Sequence, residues 1–216
     1  MYFYEIILQL TFGNEFQIEG KNREARCTGT NQDEDSANVE TGVDAEAFLL
    51  ASDGLVAMFD LLGAGVFAFV QADIKSNITG IRERYDANRA ESITLEDLVR
   101  HEHADGARHG TQCLVRLIRE LAFTCCALQT TQTDPVCALH VCFWRAYDVV
   151  LRHHHTTPSL CVTLAIRAVP RRDQFFAWLT QGGDAEKFEH ELKLAGLDEI
   201  VQRMKSFLAD GGYGHV

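Results

Sequence analysis

Ala72-Asp-Ile-Lys-Ser-Asn77-Ile-Thr-Gly-Ile81 is a segment with two polar side chains one helical turn apart, set among apolar residues. Asp73 and Asn77 lie on the same face of such a helix, because residues four apart stack one above the other. A polar pair of this kind usually belongs to the solvated face of an amphipathic helix. By itself the segment therefore predicts a helix and leaves its function open.

Helical periodicity continues on both sides of this segment, because apolar residues recur at helical spacing from Asp44 onward. Thr94 and Pro135 are typical helix starts. We expect a short helix after Thr94. Further helices are expected over residues 45–62, 66–87, 111–129, 135–154, 158–170, 173–180 and 184–209. The fold class predicted is all-α, with one domain over residues 44–216. Residues 1–43 form a predicted N-terminal extension, largely irregular or disordered, because the acidic run within 21–43 cannot bury a core.

The composition narrows the classes of protein that the chain can belong to. Its 216 residues suffice for one domain, and the formal net charge of −11 opposes a nucleic-acid partner. Brief contact with a membrane through a local patch stays allowed. The segment Met1–Leu10 is too short to span a bilayer, and no other segment is long and apolar enough for a membrane helix. We therefore expect a soluble protein.

Seven cysteines form an odd set without paired spacing, and most fall within apolar helical patterns. Free, buried thiols in a reducing cytosol explain this usage, so we predict a cytoplasmic protein. The triplet His153-His-His155 suggests a metal site, but adjacent histidines on a helix point in different directions. We expect no metal and no cofactor. The sequence contains no phosphate loop, nucleophile elbow or zinc-protease signature, so we expect no enzyme.

Several motifs surround the Asp73 segment in collinear order over residues 46–182. They are Phe59-Asp-Leu-Leu-Gly63 with Val66-Phe67, Tyr85-Asp86-x-Asn88, Arg116-Leu-Ile-Arg119 with Leu121 and Phe123, Tyr147-x-x-x-Leu151-x-x-x-His155, and Ala168-Val-Pro170 with Phe175 or Phe176. Together they resemble the glycolipid transfer protein family. Several motifs in collinear order are far more specific than any one of them.

The resemblance implies a two-layer helical sandwich that holds one lipid between its layers. In that family the residue matched by Asp73 accepts hydrogen bonds from the sphingoid amide N–H and nearby hydroxyls. The residue matched by His155 donates to the amide carbonyl, and the one matched by Asn77 sits beside the headgroup. An acceptor-only carboxylate and an imidazole N–H complement a ceramide amide, whereas glycerolipid esters would leave Asp73 unpaired.

The residue at position 116 bears on the headgroup. In sugar-binding members the position is a tryptophan, whereas an arginine such as Arg116 marks the ceramide-1-phosphate branch, and a guanidinium binds phosphate with two parallel hydrogen bonds. The second arginine of that branch is Gln112 here, and its lysine on the second helix is Asn77, as in sugar-binding members. The lysine that sugar-binding members place three residues later is Gly80.

The sequence therefore leaves three functions open. The first is non-enzymatic transfer of ceramide-1-phosphate or a related phosphate-headgroup sphingolipid, with Gln112 and Arg119 at the headgroup rim. The missing cations then imply a weaker phosphate affinity, a larger phosphate-linked headgroup, or compensation by Lys75, Arg82 or Arg119. The second is transfer of a neutral glycosphingolipid, which Asn77 supports. The third is a lipid sensor or helical interaction module that transfers nothing.

The remaining predictions concern the lipid chains and the membrane. The apolar residues that match pocket positions of the family would serve equally well as core packing; they are Phe59, Phe67, Val70, Phe123 and Leu151. Arg171 and Arg172 beside Phe175, Phe176 and Trp178 suit transient docking at a membrane surface, or the aromatic side chains pack inward. We expect a monomer that contacts membranes peripherally.

Overall fold

The computed structural model describes residues 42–61, 68–154, 160–180 and 194–216. Within these ranges the chain forms helices and a single isolated bridge between Asp44 and Thr94, so the all-α prediction is confirmed. The helices are α1 (Ala45–Leu61), α2 (Ala68–Ala87), α3 (Leu95–Ala104), α4 (His109–Thr133), α5 (Leu139–Ala146), α6 (Leu160–Arg167), α7 (Arg172–Leu179) and α8 (Ala195–Asp210). The predicted extension, residues 1–43, lies almost wholly outside the described residues and stays a prediction.

Helix α4 is the central element, because it packs against α2, α3, α5 and α8. Its buried face is almost continuous and includes Leu114, Leu117, Ile118 and Leu121. Its first turn is anchored by Glu102, whose carboxylate accepts hydrogen bonds from the amide N–H groups of Gly110 and Thr111 at 2.8 and 2.6 Å. These N–H groups have no partner within the helix, so Glu102 fixes where α4 begins.

The C-terminal end of α4 lies beyond the predicted position, at Thr133 instead of Gln129. The hydroxyl groups of Thr130, Thr131 and Thr133 donate to carbonyls one turn earlier, which keeps these threonines within the helix. The predicted helix over residues 135–154 starts later, at Leu139. The start shifts because Arg172 from α7 donates to the carbonyls of Asp134 and Pro135, so these groups are satisfied by another element.

The backbone changes its hydrogen-bond pattern after α5. A π-helical turn covers Tyr147–Leu151, and a 3₁₀ turn follows over Arg152–His154. Single π turns inside helices are frequent at functional sites. This irregular segment leads directly into residues 155–159, which lie outside the described residues. They include His155, the residue predicted to bind the lipid amide.

Five cysteines in the described residues are free thiols, as predicted. Cys113, Cys125 and Cys142 are buried, whereas Cys126 and Cys137 are half-buried. Burial raises the pKa of the Cys125 thiol to about 12, so this side chain behaves as a small apolar residue. None of the described helices is both long enough and apolar enough to cross a bilayer.

Candidate functional site

The polar pair of α2 faces α4, and the two helices approach each other closely. Gly80 makes this approach possible, because a Cβ atom at this position would lie 2.5 Å from Cys113 Sγ on α4. Ile74, Ile78 and Ile81 are buried along the same face of α2. The position at which sugar-binding members carry a lysine therefore has no room for a side chain here.

Asn77 is buried between the two helices, whereas Asp73 one turn earlier is exposed. The side-chain Nδ2 of Asn77 donates to Glu120 Oε1 on α4 at 3.2 Å. The carboxyl group of Asp73 lies within hydrogen-bonding reach of the carboxyl group of Glu120. Two predicted site residues on α2 thus meet one carboxyl on α4, which the sequence interpretation did not select.

Glu120 is the functional candidate that the sequence reasoning missed. Burial raises the pKa of Glu120 to about 8, and both the negative charge of Asp73 and the hydrogen bond to Asp73 act in the same direction. The hydrogen bond from Asn77 and the positive charge of Arg116 lower the pKa by less. The signal available in the sequence was a carboxylate one turn after Arg116 on an otherwise apolar helix face.

Arg116 is exposed on α4 and lies one helical turn before Glu120. Burial raises the pKa of the Cys113 thiol, and the positive charge of Arg116 lowers this pKa by less. Arg116 forms no hydrogen bond or ion pair with any residue that the structure describes. The structure therefore brings together three of the four predicted polar residues and leaves the guanidinium of Arg116 available to a ligand.

The other cations proposed as substitutes are mostly engaged. Arg82 forms an ion pair with Asp53 at 2.7 Å. Arg119 donates to the carbonyl of His215 in the C-terminal tail at 3.0 Å, and burial together with the nearby charge of Arg116 lowers its pKa. Gln112 and Lys75 are exposed. Arg82 is thus held by an ion pair and Arg119 by the C-terminal tail, and compensation through either cation stays a prediction.

The predicted lipid-chain residues are only partly within the described structure. His155 and Phe67 lie outside the described residues, and the side chain of Phe59 is not described either. Val70, Phe123 and Leu151 are half-buried, on α2, on α4 and on the π turn. Phe123 begins a chain of edge-to-face aromatic contacts through Phe143 to Phe175, with centroid distances of 5.8 and 6.3 Å.

Phe175 and Phe176 on α7 pack inward, so these two side chains do not belong to a membrane-docking surface. Phe175 and Phe176 are both buried and contact each other with a centroid distance of 5.3 Å. Arg172 donates to the carbonyl of Thr131 in the last turn of α4 and to that of Pro135 after it, and Arg171 forms an exposed ion pair with Asp173 at 3.2 Å. The side chain of Trp178 lies outside the described residues.

Comparison with known proteins agrees with this architecture. The family described as "Glycolipid transfer protein (GLTP)" matches residues 43–181. The chain is 38% identical over 175 residues to the glycolipid transfer protein of Aureobasidium melanogenum, covering 79% of this chain and 86% of that protein. It is 36% identical to the pleckstrin homology domain-containing family A member 8 of Rattus norvegicus, covering 68% of this chain but only 29% of that longer protein.

Solved structures extend the comparison to the fold. The fungal glycolipid transfer protein HET-C2 has 34% identity and a TM-score of 0.72, covering 78% of this chain and 87% of that one. The apo form of mouse ceramide-1-phosphate transfer protein has 18% identity and a TM-score of 0.78, covering 98% and 97%. Proteins with this fold are lipid carriers and not enzymes, and this defines the class. The chain belongs to the glycolipid transfer protein family, and the predicted type of fold is confirmed.

Proposed function

We propose that the chain carries a ceramide-based sphingolipid between membranes without any chemical turnover. The observation that carries this proposal is the convergence of Asp73 and Asn77 on α2 with Arg116 on α4 at one end of a close helix pair. The carboxylate of Asp73 accepts hydrogen bonds from the sphingoid amide N–H and a neighbouring hydroxyl. His155 donates to the amide carbonyl, by the family resemblance, and Asn77 borders the headgroup.

The headgroup that we propose first is a phosphate, as in ceramide-1-phosphate or a related lipid. Arg116 supports this choice, because its exposed guanidinium has no hydrogen-bond or ion-pair partner among the described residues, and a guanidinium binds a phosphate through two parallel hydrogen bonds. Gln112 and Arg119 border the same end of α4. Since Arg119 donates to the His215 carbonyl, Arg116 is the principal cation for the phosphate.

The hydrocarbon chains of a sphingolipid are the reason that its transfer between membranes needs a carrier. Moving an acyl chain into water costs about 0.8 kcal/mol per CH₂ group, so a long-chain sphingolipid leaves a bilayer unaided very slowly. Val70, Phe123 and Leu151, together with Phe59 and Phe67, provide the apolar side chains that we propose to cover the chains during transfer. We further propose that the protein is a cytosolic monomer that contacts membranes only transiently.

A neutral glycosphingolipid is the second candidate cargo. The buried Asn77–Glu120 contact supports it, because amide and carboxyl groups provide acceptors and donors for sugar hydroxyls. The names of the fungal relatives point to glycolipids as well. The absence of a tryptophan at Arg116 opposes it, because a guanidinium is a poorer platform for a sugar ring than an indole.

Vesicle-to-vesicle transfer of both lipid classes tests these proposals. We expect Asp73→Val to abolish transfer of both lipids, because both contain the ceramide amide. We expect Arg116→Ala to reduce transfer of ceramide-1-phosphate about tenfold or more, as expected for a charge-assisted bidentate pair, and to affect a neutral glycosphingolipid much less. Arg108→Ala, an exposed arginine at the start of the same helix, is the matched control.

Two outcomes would contradict these assignments. Equal losses for both lipids in Arg116→Ala would remove the phosphate headgroup. A wild-type protein that transfers neither lipid, and that carries no sphingolipid in native mass spectrometry of the purified protein, would favour the sensor or interaction module instead.

A further inference from the structure

Glu120 has a hydrogen-bonding arrangement that an ionised carboxylate does not explain. Its Oε1 accepts from Asn77 Nδ2 at 3.2 Å, whereas its Oε2 is buried and receives no hydrogen bond from any described residue. The neighbouring group is the carboxyl of Asp73, which is itself an acceptor when ionised. A proton on Glu120 Oε2 resolves this arrangement, because the hydroxyl then donates to Asp73.

Two carboxyl groups in hydrogen-bond contact share one proton near neutral pH, because two adjacent negative charges repel each other strongly. The proton belongs on Glu120, because Glu120 Oε2 is buried, whereas Asp73 is exposed to water. Among the described residues, the side chains that act on the Glu120 carboxyl are Asp73 and Asn77 from α2 and Arg116 from α4. Burial is the largest cause of the pKa of about 8, Asp73 raises this pKa further, and Asn77 and Arg116 lower it.

The protonation state of Glu120 changes the charge that a headgroup meets. When Glu120 is neutral, the single negative charge of Asp73 is balanced by the positive charge of Arg116. When Glu120 is ionised, two carboxylates face one guanidinium, and the site repels an anion. The charge of Arg82 is offset by its ion pair with Asp53. Arg119 keeps its charge, but its guanidinium is directed to the His215 carbonyl in the C-terminal tail.

We infer that Glu120 is a specificity-determining residue, whose carboxyl admits an anionic headgroup beside Arg116 only while it holds a proton. A neutral headgroup experiences no comparable repulsion, so its binding does not depend on this proton. The inference rests on the proposed function, since it concerns the same lipid site. It makes the choice between an anionic and a neutral sphingolipid a property of one residue on α4.

Glu120→Gln is the informative variant. The glutamine amide still donates to Asp73 and its carbonyl still accepts from Asn77, but the side chain cannot ionise. Transfer of ceramide-1-phosphate and of a neutral glycosphingolipid is measured for wild type and variant from about pH 6 to about pH 9. The ratio of the two proteins for one lipid cancels the titration of the lipid phosphate itself.

For ceramide-1-phosphate, we expect equal rates of wild type and Glu120→Gln near the lower pH and a wild type roughly tenfold slower near the upper pH. For the neutral lipid, the ratio should stay constant. A ratio that stays constant with pH for both lipids overturns the inference. A loss of transfer in Glu120→Gln that is equal for both lipids overturns it as well, since that result would indicate a structural role only.

A second measurement needs no lipid. The carboxyl ¹³C resonance of Glu120 is assigned by its absence from the spectrum of Glu120→Gln. In the wild-type protein this resonance should titrate with a midpoint near pH 8. A midpoint near the pKa of an ordinary glutamate overturns the inference. If neither protein transfers any sphingolipid near pH 6, the proposed function fails and the inference fails with it. A pH-independent ratio in two active proteins overturns the inference alone.

Discussion

At the scale of single residues, Glu120 places an ionisable group where water cannot fully solvate its charged form. Burial is the largest cause of its raised pKa, so the folded state binds a proton that the unfolded chain releases at much lower pH. The stability associated with this proton is fully present below the ordinary glutamate pKa. It is lost progressively as the pH rises toward about 8. The site therefore costs the protein stability at neutral pH.

Replacement of Glu120 by glutamine should remove this cost. We expect Glu120→Gln and wild type to have similar free energies of unfolding near pH 4. Near pH 8 the variant should be more stable by roughly 2–4 kcal/mol, from about 1.4 kcal/mol for each unit of pKa shift. Urea unfolding across this pH range measures the difference. The control Glu83→Gln, on the exposed face of α2, should show no such pH-dependent gain, and a gain of equal size there would contradict the explanation.

At the scale of the elements, the contact between α2 and α4 depends on the absence of a side chain. Gly80 lies against Cys113, and the resulting close approach lets Asn77 reach Glu120. A glycine inside a helix costs about 1 kcal/mol relative to alanine. This cost is offset because any larger residue at position 80 would push the two helices apart.

A substitution at Gly80 should therefore separate the helices. Valine is a better helix former than glycine, so local propensity alone predicts a small gain for Gly80→Val. We expect instead a loss of about 1–3 kcal/mol from overpacking against Cys113, together with weaker lipid transfer. Urea unfolding and the vesicle assay measure the two effects. Ser76→Val places the same side chain on the exposed face of α2, and an equal loss in that control would show that overpacking is not the cause.

At the scale of the whole molecule, Glu96 links three distant parts of the chain. This residue on α3 is buried, with only 3% of its surface exposed. Its Oε2 accepts from the amide N–H of Val43 at 2.9 Å, and its Oε1 accepts from Arg203 Nε on α8 at 2.6 Å. The segment before α1 and the C-terminal helix are thus both held by one carboxylate.

Truncation of Glu96 should loosen both attachments at once. Glu96→Ala leaves the buried N–H of Val43 without an acceptor, and it removes the partner of Arg203. We expect a loss of about 1–3 kcal/mol in the free energy of unfolding, since an unmade buried hydrogen bond costs this much and Arg203 is partly exposed. Hydrogen exchange should quicken at Val43 and along α8. Glu199→Ala, exposed on α8, should have neither effect; unchanged exchange at Val43 in Glu96→Ala would contradict this explanation.

The helices and one of their polar faces follow from the sequence alone. The 3.6-residue period of apolar side chains is a local property, so it predicted the helical class and placed Asp73 and Asn77 on one face of α2. The motif order predicted the family, which the comparisons confirm. The roles of the site residues, including His155, stay predictions.

The contacts between helices had to come from the tertiary structure. Asn77 and Glu120 are 43 residues apart, and whether they touch depends on how closely α2 and α4 pack at Gly80. The burial of Phe175 and Phe176 was undecided for the same reason, since periodicity identifies an apolar face but not the surface that covers it. Side-chain spacing along one helix is set by covalent geometry, whereas burial, and with it the proton on Glu120, is set by the neighbours that the fold brings together.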